Sequence, residues 1–220
     1  RAERKLRSLG VRISARGPAG LLRMVAVPAP AAVAVQVLGG FAVQRHGVPI
    51  PLSDWQTRKA RDLLKMLVCR RGRAVPKELV MEVLWPGEDP QKLANRLSVA
   101  LSTLRAVLDP ERRCDADRFV RADRESISLD VENVLVDAEV FLHAAQRGVA
   151  LRSAGKSDEA REWLEQAESA YAGEALEGDT YSDWAVSLRE DARATYLAVA
   201  HAPAADASVA GEHDLAVRYL

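Results

Sequence analysis

Between Asp89 and Asp130 the chain commits itself to one long amphipathic helix that runs almost directly into a β-hairpin, and few folds accommodate that pair. Asp89 supplies a helix cap, with Pro90 at the first helical position. Leu93, Leu97, Ala100, Leu101, Leu104 and Leu108 then line one side for about five turns. At about 100° per residue the opposite face carries Gln91, Asn95, Ser98, Val99 and Ser102, with Lys92, Arg96, Thr103 and Arg105 on its flanks. A merely solvated face would favour Glu, Lys and Ala, because Ser and Asn are poor helix formers. In the hairpin, Phe119, Ile127 and Leu129 are the apolar positions, while Arg118, Arg121 and Arg124 gather toward the near strand and the tip.

What precedes this segment has a different period. Val33, Val35 and Val37 alternate; after Gly39-Gly40 so do Phe41 and Val43, and after His46-Gly47 so do Val48, Ile50 and Leu52. These read as three short antiparallel strands with His46 in a turn, and three strands alone bury too little to be stable. Helices must cover them. Ser53 with Gln56 gives a capping-box signature for a first helix buried through Ala60, Leu63, Leu64, Leu67 and Val68 and stopped at Gly72. A second helix, with Pro76 near its start, buries Leu79, Val80, Val83 and Leu84 and ends at Trp85-Pro86-Gly87. The short connection to Asp89 suits a helix-turn-helix.

Beyond the hairpin the pattern is helical throughout. Val136-Asp137 opens a helix with Val140, Phe141, Ala144 and Ala145 inward, and Gly155 marks a turn. Ala160, Trp163, Leu164, Ala167, Ala170 and Tyr171 line the next helix; Trp184, Leu188, Ala192, Tyr196 and Leu197 line a third. Leu215, Ala216 and Tyr219 would begin another. Small residues set against aromatics are what stacked helical pairs need, since each pair buries its face only on its neighbours. The expected divisions are 1–32, a basic arm or linker; 33–132, the mixed domain; and 133–220, the helical repeat domain. The fold class is α+β followed by all-α.

The zero net charge conceals a division. Residues 1–109 hold 19 Lys and Arg against 8 Asp and Glu, and residues 110–220 hold 12 against 23. A basic half attracts polyanions and an acidic half repels them or meets another protein; chance segregation of solubilising charge is the alternative. Glu159, Glu162, Glu165 and Glu168 along one helix read as a solvated face.

Duplex DNA is the polyanion these side chains suit. Asn and Gln pair with adenine's two major-groove groups, Ser and Thr adapt to several base edges, Val can touch a thymine methyl, and the flanking cations suit phosphate or guanine. Arg121 or Arg124 of the hairpin could reach the minor groove or backbone, with Arg124 the first choice; the alternative pairs it in solvent with Asp123 or Glu125. Gln56, Thr57, Arg58 and Lys59 stand where side chains and free N–H groups of a helix start can hold a phosphate. The sheet lacks the exposed aromatic pair that stacks single-stranded RNA bases.

Other chemistries find little support. Gly155-Lys156-Ser157 echoes a phosphate-binding loop, but position 150 is Ala where that loop needs Gly, so the run reads as a turn between helices. His46, His143, His201 and His213 have no metal-ligand spacing, and two cysteines make neither a disulfide framework nor a metal cluster. The expectation is a non-enzyme without cofactor or metal. No apolar run reaches the roughly 18 residues of a membrane span, so a soluble, membrane-free chain is expected, and the two cysteines without a disulfide framework point to a reducing, cytoplasmic setting. The first residue is Arg1, and Leu220 falls within a helical pattern, which reads as a piece of something longer.

The order strand, strand, strand, helix, helix, helix, hairpin resembles the winged helix of OmpR-type response regulators. Val37-Leu38-Gly39, Arg58 to Leu64, Leu84-Trp85-Pro86, Asn95-x-Leu97 and Ser102-x-Leu104-Arg105 more closely resemble the SARP-type activators, over about residues 33–200. The resemblance implies an OmpR-type winged helix-turn-helix packed on a bacterial transcriptional activator domain similar to tetratricopeptide repeats. It also implies binding of direct repeats near promoters, a possible homodimer on those repeats, and contact with RNA polymerase. Residues 1–32 resemble the junction to a larger sensor protein. The competing expectation is a protein-interaction scaffold whose winged helix is structural.

Overall fold

The computed structural model describes residues 32–202, the side chain of Pro90 excepted. The possible helix at Ala2 to Leu9, the spacer at Pro28 and Pro30, and the repeat beginning at Leu215 lie outside them.

Strands β1 (Val33–Gln36), β2 (Ala42–Arg45) and β3 (Val48–Pro49) form the expected antiparallel meander. His46 makes the β2–β3 turn in a left-handed conformation, φ +48°. The third strand is shorter than its alternation suggested: Ile50 is buried, but Val48 is 66% and Leu52 67% exposed. Pro49 and Pro51 explain this, since a residue without an N–H cannot extend a ladder and is confined to an edge. A fourth strand joins the other side of the meander: β7 (Val134–Val136), arriving from beyond the hairpin, pairs in parallel with β1. The helix expected to open at Val136-Asp137 does begin at Asp137, and the three apolar residues before it become a strand through their pairing with β1.

The first helix, α1 (Arg58–Cys69), starts later than the capping-box signature places it. Leu52–Asp54 form a single 3-10 turn, and the cap is Thr57, whose Oγ1 accepts the Ala60 N–H at 3.2 Å. Met66 and Cys69 are buried along with the predicted face, because α1 is covered on more than one side. Burial pushes the Cys69 thiol up to about 12, which keeps it neutral. Strand β4 (Val75–Pro76), helix α2 (Lys77–Leu84) and helix α3 (Pro90–Leu108) follow, α3 capped by Asp89. Hairpin strands β5 (Val120–Ala122) and β6 (Ser126–Leu129) join β4 in a second sheet of order β4-β6-β5. The wing is therefore three-stranded, braced by the segment that leads into α2.

The helical part consists, among the described residues, of α4 (Asp137–Ser153), α5 (Ser157–Ala170) and α6 (Asp183–Ala200). Helices α4 and α5 form a close antiparallel pair around Gly148, where a Cβ would come within 2.7 Å of Leu164 Cγ. Gly155, at φ +74°, closes α4, so the Gly-Lys-Ser run is a turn between helices. Tyr171 stacks on Tyr196 of α6 with ring centroids 4.1 Å apart. Leu197, expected inward, is 47% exposed.

The two parts share one apolar core and a set of polar ties. Asp137, in the first turn of α4, accepts the Val37 and Leu38 N–H groups at 2.9 and 3.0 Å; burial raises its pKa above the ordinary carboxylate value against the opposing pull of those bonds. Leu38 bridges Ala175, and Gly39 N donates to Glu174 O at 3.1 Å. Lys65 of α1 meets Asp179 at 2.6 Å, with its ammonium 4.8 Å from the centre of the Phe41 ring. Arg71 forks onto Glu139 of α4 and lies 3.9 Å from Asp191 of α6. Helix α1 packs on α3 on one side and on α6 on the other, so the helical part stands behind α1, away from the outer face of α3.

Candidate nucleic-acid interface

The stripe along α3 faces outward. Gln91, Lys92, Asn95, Arg96, Ser98, Val99 and Ser102 are all exposed, whereas Leu97, Ala100 and Leu104 on the opposite side are buried against α1 and α2. Asn95 and Ser102 lie nowhere beneath the acidic helical part. The helix projects because α1 and α2 pack on its apolar side and leave the amide and hydroxyl groups exposed.

Two flank residues do not belong to this face. Thr103 is only 6% exposed, one turn beyond Val99 and rotated toward the core. Arg105 is half-buried: its Nη2 bonds Asp117 and, at 3.0 Å, the carbonyl of Val120 in β5. It ties α3 to the wing instead of reaching outward. Arg96 stays on the face but is held by Glu88, from the α2–α3 connection, at 2.5 Å.

The wing sorts its arginines in the same way. Arg121 is paired at 2.6 Å with Asp130, a buried carboxylate that also accepts Asn133 Nδ2 at 2.9 Å and the Glu132 N–H at 2.9 Å. Its charge is committed to the base of the wing. Arg124 stands exposed at the tip and makes no ion pair among the described residues, so the solvent pairing with Asp123 or Glu125 does not form. Asp123 instead builds the tip: it accepts the N–H groups of Glu125 and Ser126 and the Ser126 hydroxyl, bonds that hold its carboxyl below the usual carboxylate range.

Lys77 was not legible as a functional residue. Its Nζ donates to the carbonyls of Asp123 at 2.5 Å and Arg124 at 3.3 Å, and its N–H to Glu125 O at 2.8 Å, so the first residue of α2 clamps the wing tip. The one signal in the sequence is a cation in a helix's first turn, where the macrodipole disfavours it and a tertiary partner must compensate. Lys77→Met should therefore weaken duplex binding about fivefold with little change in melting temperature, and Lys77→Arg should recover part of the loss; titrations by fluorescence anisotropy read both.

At the start of α1, Arg58 is 77% exposed in its side chain and only loosely paired with Asp62 at 3.8 Å. Gln56 is exposed, Lys59 and Thr57 half-buried, and the Thr57 oxygen already serves as the cap. Among the described residues no group of acidic, His and Cys side chains could hold a metal ion, and no helix is long and apolar enough to cross a membrane.

Comparison with known proteins agrees with this geometry. Residues 55–124 match the family described as transcriptional regulatory protein, C terminal, and residues 136–220 match the bacterial transcriptional activator domain. No curated protein matches the chain. Among solved structures, Mycobacterium tuberculosis EmbR in complex with a low-affinity phosphopeptide is similar in fold, with a TM-score of 0.65 at 23% identity over 83% of this chain and 51% of that one. The chain spans about half the length of that protein. It joins, in this order, a transcriptional regulatory protein C-terminal domain of the OmpR-like winged-helix kind and a bacterial transcriptional activator domain, which is the architecture of the SARP-type regulators.

Proposed function

We propose that this chain binds specific duplex DNA through α3 and the wing and activates transcription from the sites it occupies in the cytoplasm. The observation that carries the reading is the outward, exposed polar face of α3, in a fold whose wing tip also leaves Arg124 exposed. Gln91, Asn95, Ser98, Val99 and Ser102 would meet base edges in the major groove, with Lys92 and Arg96 beside them. Arg124 would address the adjacent minor groove or backbone, and Arg58, with Gln56 and Lys59, a phosphate at the helix start. The acidic helices stand behind α1, where they do not oppose an approaching duplex and remain open to RNA polymerase. Two copies side by side on direct repeats would extend the contact.

Duplexes selected from a random pool test this directly. Asn95→Ala and Ser102→Ala should together cost about tenfold in affinity for the selected site and little for random duplex. Arg58→Ala should weaken both and reduce the slope of log affinity against log salt by about one. A chain that binds no duplex at low salt would be a protein-interaction scaffold instead.

A further inference from the structure

We infer that the centre of α3 reads an A·T-containing step in which Val99 packs on the 5-methyl group of a thymine. The inference deepens the DNA-binding reading and rests on it. Val99 is 51% exposed in the middle of α3, a β-branched apolar side chain on an otherwise polar face. Its neighbours one turn away on the outward side, Asn95 and Ser102, are exposed as well.

The charges around it narrow the partner. Specific recognition of guanine relies on a guanidinium or ammonium reaching O6 and N7. Here Arg105 is tied to Asp117 and Val120 and Arg96 is paired with Glu88, while the outward residues around Val99, namely Asn95, Ser98 and Ser102, carry amide and hydroxyl groups. Lys92, the remaining cation on this face, sits two turns toward the N-terminus from Val99. An amide pairs with adenine N6 and N7, and the apolar group that a standard base pair displays in the major groove is the thymine methyl. Asn95 and Val99 are one helical turn apart, about 6 Å along the axis, which spans one to two base-pair steps. Adenine under Asn95 and thymine under Val99 therefore fall one or two base pairs apart.

The test uses the 220-residue chain and duplexes it selects from a random pool, resynthesised with deoxyuridine in place of each thymine in turn. Removing the methyl changes no hydrogen-bonding group. Wild type should lose about three- to fivefold in affinity at one thymine, the size expected for one buried methyl. Val99→Ala should bind the thymine duplex weaker by a similar factor and show no further loss with deoxyuridine at that position, with its salt dependence unchanged. Asn95→Ala should keep the methyl effect while relaxing the adenine preference one or two pairs away. A selected site in which no thymine is sensitive to methyl loss, or a penalty that survives in Val99→Ala, overturns the inference alone. Absence of binding to any duplex overturns it together with the function beneath it.

Discussion

Gly39→Ala should cost the protein about 2–4 kcal/mol, a large part of the stability of an ordinary domain. Two effects coincide at this position. Its φ of +67° is a left-handed conformation that disfavours a side chain by about 1 kcal/mol or more. A Cβ there would also lie 2.4 Å from the carbonyl oxygen of Ala172, a backbone atom that cannot swing aside. The only relief is to push apart the sheet and the loop after α5, which would break the Gly39 to Glu174 bond and the pairing of Leu38 with Ala175. Urea denaturation would measure the loss, with Gly178→Ala, where nothing lies within 4 Å and φ is ordinary, as a control expected within about 0.5 kcal/mol of wild type. A Gly39→Ala protein as stable as the control would mean that the seam between the two parts is looser than its geometry.

Asp130→Ala should have the second largest effect, about 2–3 kcal/mol, and should weaken DNA binding beyond its effect on stability. The carboxylate is buried and accepts from Arg121, Asn133 and the Glu132 N–H, while the Asp130 carbonyl accepts from the N–H groups of Asn133 and Val134. It sits at the corner where β6 of the wing turns toward β7 of the other sheet. Without it, the exposed Arg121 head can turn to water, but the Glu132 N–H and the Asn133 amide lose their acceptor. Asp130→Asn, which keeps one acceptor oxygen, should lose less. Hydrogen exchange would show where: faster exchange confined to residues 119–136 is expected, and unchanged exchange there would refute the corner's role.

How far the sequence carried the argument differs from element to element. The five-turn stripe of α3 was legible because an apolar face repeating at helical spacing and a polar face opposite it constrain each other. The helical pairs were legible for the same reason, and so was the fate of Gly155 as a turn. Thr103 and Arg105 were misplaced because both lie on the boundary of the stripe, where a small rotation toward α1 or the wing decides between core and surface. Arg121 looked like Arg124 in the sequence; Asp130, nine residues away, separates them.

The local code settled which segments are helices, where their apolar sides lie, and that one helix carries an unusual outward face, because side-chain periodicity and capping act over a few residues. Only the folded chain decided that Val134–Val136 is a strand, that Lys77 holds the wing tip, that Thr57 and not Ser53 caps α1, and that Arg124 is left exposed without an ion-pair partner. Most of these depend on partners tens of residues away, up to about a hundred for β7 on β1, and no short-range pattern records which distant groups a hydrogen bond or an ion pair will bring together.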